Sequence, residues 1–103
     1  MTSKGSTQGR FQRACDRRNV QQAELAALEL VQPLSLLNAL ALVRLYAETG
    51  SPKFDSAAVR WVGRYAFEER DVQVQDMQLA VAALGSLRGR RAEQVEPVLL
   101  KLL

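Results

Sequence analysis

Residues 34–49 are apolar at nearly every position. The run follows Pro33, carries Ser35 as a residue able to cap a helix, and stops at Gly50, the residue type that best tolerates a left-handed helix end. Its few polar members, Ser35, Asn38, Arg44 and Glu48, do not gather into one solvent-facing stripe. A helix that is apolar almost all round is a buried helix, so this one must be wrapped by the rest of the chain or by a partner.

The flanking segments show only one apolar face each. Residues 10–18 place Phe11, Ala14 and Cys15 on one side and Arg10, Arg13 and Arg17 on the other, the spacing of a short amphipathic helix. Asn19 is a natural N-cap, with Gln22 three residues on as in a capping box. A second helix over about residues 20–31 follows, with Val20, Ala23, Ala27, Leu30 and Val31 on one side and Leu25 and Leu28 broadening it, until Pro33 ends it. Ser51-Pro52 restarts the chain as a cap and first-turn proline. The helix predicted over about 55–70 has Ala58, Val59, Val62, Tyr65 and Ala66 on one side with Trp61 at its edge. Arg60 and Arg64 lie opposite, Lys53 joins them if the helix extends that far back, and Phe67 falls near this basic stripe. A fifth helix over about 74–87 turns Met77, Ala80, Val81, Leu84 and Leu87 inward and Gln75, Asp76 and Gln78 outward. After the basic turn 88–91, a last helix from about residue 92 carries Val95, Val98, Leu99 and Leu102, and Pro97 either kinks it or marks its start.

No segment alternates with period two between hairpin turns, so no sheet is expected. The pattern predicts an all-α fold: a compact bundle of five or six short helices around the central apolar helix 34–49. Stacked helical hairpins are one arrangement open to it, although uneven helix onsets argue against a regular solenoid. Residues 1–9, rich in Ser, Thr and Gly, read as a flexible tail, and residues 10–103 as a single helical domain.

Composition narrows the class further. A chain of 103 residues holds one domain and buries roughly 60–65% of its unfolded surface, enough for a core without metal or disulfides. The single cysteine, Cys15, forms no internal disulfide and favours a reducing compartment. No secretory leader is expected at the start, and the apolar run is shorter than the roughly 20 residues of a membrane span. These features predict a soluble cytoplasmic protein. The net charge is +3, and its distribution is lopsided: residues 1–20 hold five basic side chains against one acidic, the rest nine against ten. The basicity belongs to the N-terminal arm.

With no histidine, the commonest general base and metal ligand is missing, and with one cysteine besides, zinc sites of the Cys/His type are excluded. A Ser–His or Cys–His nucleophile is excluded likewise. Glu68 and Glu69 are adjacent on a helix and diverge, so they make no catalytic pair. No enzyme activity, cofactor or metal is expected.

Three features carry the functional reading. The face Arg10, Arg13, Arg17 and Arg18 suits phosphate contact with a nucleic acid, although a solvated helix face explains it as well. The stripe Arg60 and Arg64 with Phe67 nearby suits base stacking or a protein partner. The plainer reading packs Phe67 under a neighbouring helix and pairs the arginines with Glu68 or Asp55. Trp61 and Tyr65, one turn apart, are expected in the core, and Cys15 as a small buried hydrophobe. Arg44 and Asn38, inside the apolar helix, need polar partners, with Glu48 the nearest for Arg44 and a dimer interface the other source.

Asn19–Ala27, Leu34–Leu40 and Ala58–Tyr65 together resemble a group of small, all-helical bacterial proteins without an assigned function. The likeness spans about residues 11–103; it implies the helical fold and no site. The expected function is non-enzymatic protein–protein interaction or scaffolding, with self-association. The alternative is an accessory nucleic-acid-binding protein that uses the basic N-terminal helix and the Arg60/Arg64 stripe.

Overall fold

A computed structural model describes residues 3–103, with side chains from residue 7 on. Six α-helices and one short 3₁₀ turn make up the fold, and there is no strand among the described residues. They are α1 (Ser3–Asp16), α2 (Val20–Glu29), α3 (Leu36–Thr49), α4 (Phe54–Glu68), α5 (Val74–Gly85), the 3₁₀ turn Ser86–Arg88 and α6 (Ala92–Leu102). The first helix is longer than its amphipathic pattern suggests, reaching back to Ser3. Met1 and Thr2, the start of the expected tail, lie outside the described residues.

The helix ends follow local chemistry. The Asn19 side chain accepts from the Gln22 N–H and the Ser35 hydroxyl from the Asn38 N–H, satisfying donors that a first turn leaves free. The Asn19 N–H donates to the Ala14 carbonyl, so it closes α1 rather than pairing with Gln22 as a reciprocal capping box would. Both α1 and α3 end in the same double motif. In α3, Gly50 at φ +66° donates to the Ala47 carbonyl and Ser51 to that of Tyr46. In α1 the left-handed position is held by Arg18 at φ +57°, a conformation most side chains avoid. Pro97 sits inside α6, so the helix begins before it.

Consecutive helices pair as hairpins, α1 with α2, α3 with α4, and α5 with α6. Two separate cores result. The larger gathers Leu36, Leu40, Val43 and Tyr46 of α3, Phe54, Ala58, Trp61 and Tyr65 of α4, Ala80, Ala83 and Leu84 of α5, and Leu87 and Leu99 beyond. The smaller holds Phe11, Ala14, Ala23 and Ala26 of the first hairpin against Leu45 of α3, with Leu34 and Leu42 alongside. Helix α3 therefore feeds both cores from opposite sides, which is why its apolar residues run all round it.

The larger core is organised by Trp61. Its indole N–H donates to the Leu36 carbonyl at 2.8 Å, and its ring stacks on Tyr65 with centroids 5.5 Å apart. The buried face of α4 is thus Phe54, Ala58, Trp61 and Tyr65, rotated from the face the sequence suggested. Val59 and Ala66 point to solvent, and Trp61 is central rather than marginal. In α5 the inward line is Ala80, Ala83 and Leu84, and Val81 is turned out. In α2 the inward residues are Ala23 and Ala26, whereas Leu25, Leu28 and Val31 face solvent.

Candidate interaction surface

The basic candidates sort into paired and unpaired side chains. The Arg10 guanidinium donates to both carboxylate oxygens of Glu29, at 3.2 and 2.9 Å, and reaches the Thr7 hydroxyl. This pair ties α1 to α2 and holds the Glu29 carboxyl below the usual carboxylate range. Arg18 donates to Glu48 of α3 at 3.1 Å and to the Asp16 carbonyl. Arg13 and Arg17 have no carboxylate partner among the described residues. On α4, Arg64 grips Glu68 one turn on through two donors, at 2.7 and 3.2 Å, as i,i+4 spacing allows. Arg60 is exposed and unpaired by any carboxylate among the described residues. Asp55, the other candidate partner for this stripe, meets Arg88 instead at 3.7 Å, and the Arg88 guanidinium lies over the Phe54 ring at 5.4 Å.

Phe67 is 90% exposed. It packs under no helix and, by helical spacing, lies on the same face of α4 as Arg60 and Arg64. Helix α1 packs on α2 and α3, and α4 on α3 and α5. The two basic stripes thus belong to different hairpins rather than forming one patch.

Lys53 leaves the stripe altogether. Its ammonium donates to Glu24 of α2 at 2.8 Å, and the same carboxylate oxygen accepts the Tyr46 hydroxyl at 2.5 Å. These two bonds, Lys53 foremost, hold the Glu24 carboxyl below its ordinary value. Burial, then the hydrogen bond to Glu24, pushes the Tyr46 phenol up, and the Arg60 charge acts on it in the opposite sense.

Arg44 finds its partners within the chain. It pairs with Glu48 at 3.9 Å, as the spacing suggested, and with Glu96 of α6, which no spacing reveals. Asn38 accepts from the Gln12 side chain of α1 at 3.0 Å. Burial, with the neighbouring Asp16 charge, pushes the Cys15 thiol up to about 11, which leaves it protonated and unreactive at neutral pH.

The surface that sequence reasoning missed lies on α5. Val74, Met77, Gln78, Val81 and Ala82 form an open, shallow apolar surface along one face of this helix. Val74 is 77% exposed and Val81 56%. Met77, expected inward, is partly buried against the larger core, whereas Val81, which shares a helical period with Leu84, is turned out with Val74. The signal that distinguishes them is charge: α5 carries a single charged residue, Asp76, which accepts from the Gln73 N–H at the helix start. A solvent face built without charges is the unusual feature.

Among the described residues no helix is long and apolar enough to cross a membrane. No protein-family model matches the chain, and neither the curated proteins nor the solved structures contain a match to it.

Proposed function

We propose that the protein is a non-enzymatic interaction module whose exposed α5 face packs against a helix of a partner protein, the first such partner being a second copy of this chain. The observation that carries the reading is the uncharged, apolar outer stripe of α5. Val74 and Val81 stand at equal distances from the midpoint between Met77 and Gln78. An antiparallel pair of α5 helices related by a twofold axis sets Val74 of one copy against Val81 of the other, a self-complementary contact of the kind that twofold dimers use. With Asp76 held in its cap, no like charges are forced together. One helix pair buries far less than the roughly 1,200 Å² of a stable interface, so the association is weak and concentration-dependent.

Sedimentation across a range from micromolar to millimolar protein tests this. Reversible dimerisation that Val81→Glu abolishes, with helicity retained, is the expected result. A strict monomer throughout that range sinks self-association.

The nucleic-acid reading draws less support. Of its six arginines, Arg10, Arg18 and Arg64 already meet a carboxylate, which halves the charge available to phosphates. Arg13, Arg17 and Arg60 remain. Tight, steeply salt-dependent binding to generic DNA or RNA, lost in Arg13→Gln with Arg17→Gln, would favour that reading over the first.

A further inference from the structure

The α1/α2 hairpin and the remaining four helices meet over a narrow front. Only Leu45 of α3 is fully buried among the hairpin's own buried residues, with Leu34 and Leu42 at the margin. Val20 of α2 also packs at the edge of the larger core, and the rest of the attachment is polar and lies at or near the surface. Gln12 meets Asn38, Arg18 meets Glu48, and Glu24 accepts from Tyr46 and Lys53. The exposed pairs add little stability each because water competes for their groups, and the bond of the Tyr46 hydroxyl to Glu24 is the one that is partly buried. Within the hairpin the packing is much closer, because Ala14, Ala23 and Ala26 let the two backbones approach. A short linker with extended backbone at Leu30 and Ser35, including the exposed residues Val31, Gln32 and Pro33, joins it to α3.

We propose that the α1/α2 hairpin is a detachable cover. It opens from α3 as a unit while α3–α6 remain folded, and its departure uncovers Leu34, Leu42 and Leu45 as a second apolar face of α3. The energetic reason is the asymmetry of the two cores. The larger keeps Trp61, Tyr65, Phe54 and Leu99 without any residue of α1 or α2 among its buried members. Losing the hairpin costs the smaller core, the contact of Val20 at the edge of the larger one, and the polar contacts. Helices of 14 and 10 residues are too short to hold their form unaided, so the open hairpin also loosens internally. This opening is independent of the exposed α5 face, which belongs to the part that stays folded.

Hydrogen exchange followed by mass spectrometry on the full chain at neutral pH is the test. Peptides from α1 and α2 are expected to exchange faster than those from α4 and α6 by a factor of about ten or more, as for a sub-global opening. Glu24→Gln, which removes the charge from the clip, should speed exchange in α1 and α2 severalfold and leave α4 and α6 unchanged. Equal protection across all six helices, or a Glu24→Gln effect spread evenly over them, would overturn the proposal.

Discussion

Around Trp61 the chain packs rings and branched chains from four helices and the 3₁₀ turn, whereas around Phe11 it packs three alanines and one leucine borrowed from α3. Both centres exclude water equally well, since Trp61 and Phe11 are among the most fully buried side chains. They differ in how much apolar area each commits and in how many elements share it. A core fed by α3, α4, α5 and α6 fails only when all of them part. A core fed by one hairpin and one side of α3 fails when the hairpin lifts. The polar bonds that span the gap between them do little to compensate, because the exposed ones compete with water.

The largest effect belongs to Trp61→Ala. Removing the ring leaves a cavity and takes away the indole's hydrogen bond to the Leu36 carbonyl, and about 3–5 kcal/mol of stability should disappear from the main unfolding transition. Urea titration read by far-UV ellipticity measures it. Phe11→Ala removes a ring of similar burial, yet its cost should fall on the first hairpin, leaving the Trp61 fluorescence midpoint close to that of the parent chain. An equal shift of that midpoint in both variants would erase the distinction between the cores.

Leu99→Ala comes next, at about 2–5 kcal/mol, because α6 anchors to the larger core by that side chain. Smaller again is Arg44→Gln. This side chain is partly exposed and bridges α3 to Glu96 of α6 and to Glu48, so its loss should cost about 1 kcal/mol after allowance for solvent. Thermal melts at matched pH resolve a difference of that size.

The smallest effect is that of acid. Glu24 and Glu29 have folded-state values below their ordinary ones, so the stability they contribute is complete above the ordinary glutamate range and is lost as pH falls through the lowered values. Both clamp the first hairpin. Between mildly acidic and strongly acidic solution the hairpin should therefore loosen, detected as faster exchange in α1 and α2. Glu68, lowered in the same way by Arg64, lies within α4 and stabilises only its own helix.

Much of this architecture was legible in the residues. Asn19, Ser35 and Gly50 act within a turn of their own positions, so the boundaries they set can be read locally. The all-round apolarity of α3 announced a helix covered on more than one side. Arg44 with Glu48 and Arg64 with Glu68 follow from i,i+4 spacing. The phases of α2, α4 and α5 were legible only in part: Ala23, Ala58, Tyr65, Ala80 and Leu84 are buried as expected, whereas Leu28, Val59, Ala66 and Val81 are exposed. In α4 apolar residues lie on both sides, and periodicity counts Ala66 and Val59 as much as Trp61; burial instead goes to the rings that neighbouring helices can enclose. Glu24 with Lys53 and Tyr46, and Arg44 with Glu96, join residues far apart in sequence, and only the packing of whole helices brings them together. The α5 stripe went unseen for a related reason. Its valines match a core period, and their exposure depends on which neighbours α5 acquires.

Leu45 is the one α3 side chain buried in the smaller core, so Leu45→Ala separates the two regions most directly. The variant should be unfolded in urea while two signals are followed, far-UV ellipticity for all helices and fluorescence for Trp61, the chain's single tryptophan. The predicted result is two transitions, with ellipticity falling first and the tryptophan signal holding until a midpoint near that of the parent. A single coincident transition at a lower midpoint would contradict the division of the molecule into two cores joined through α3.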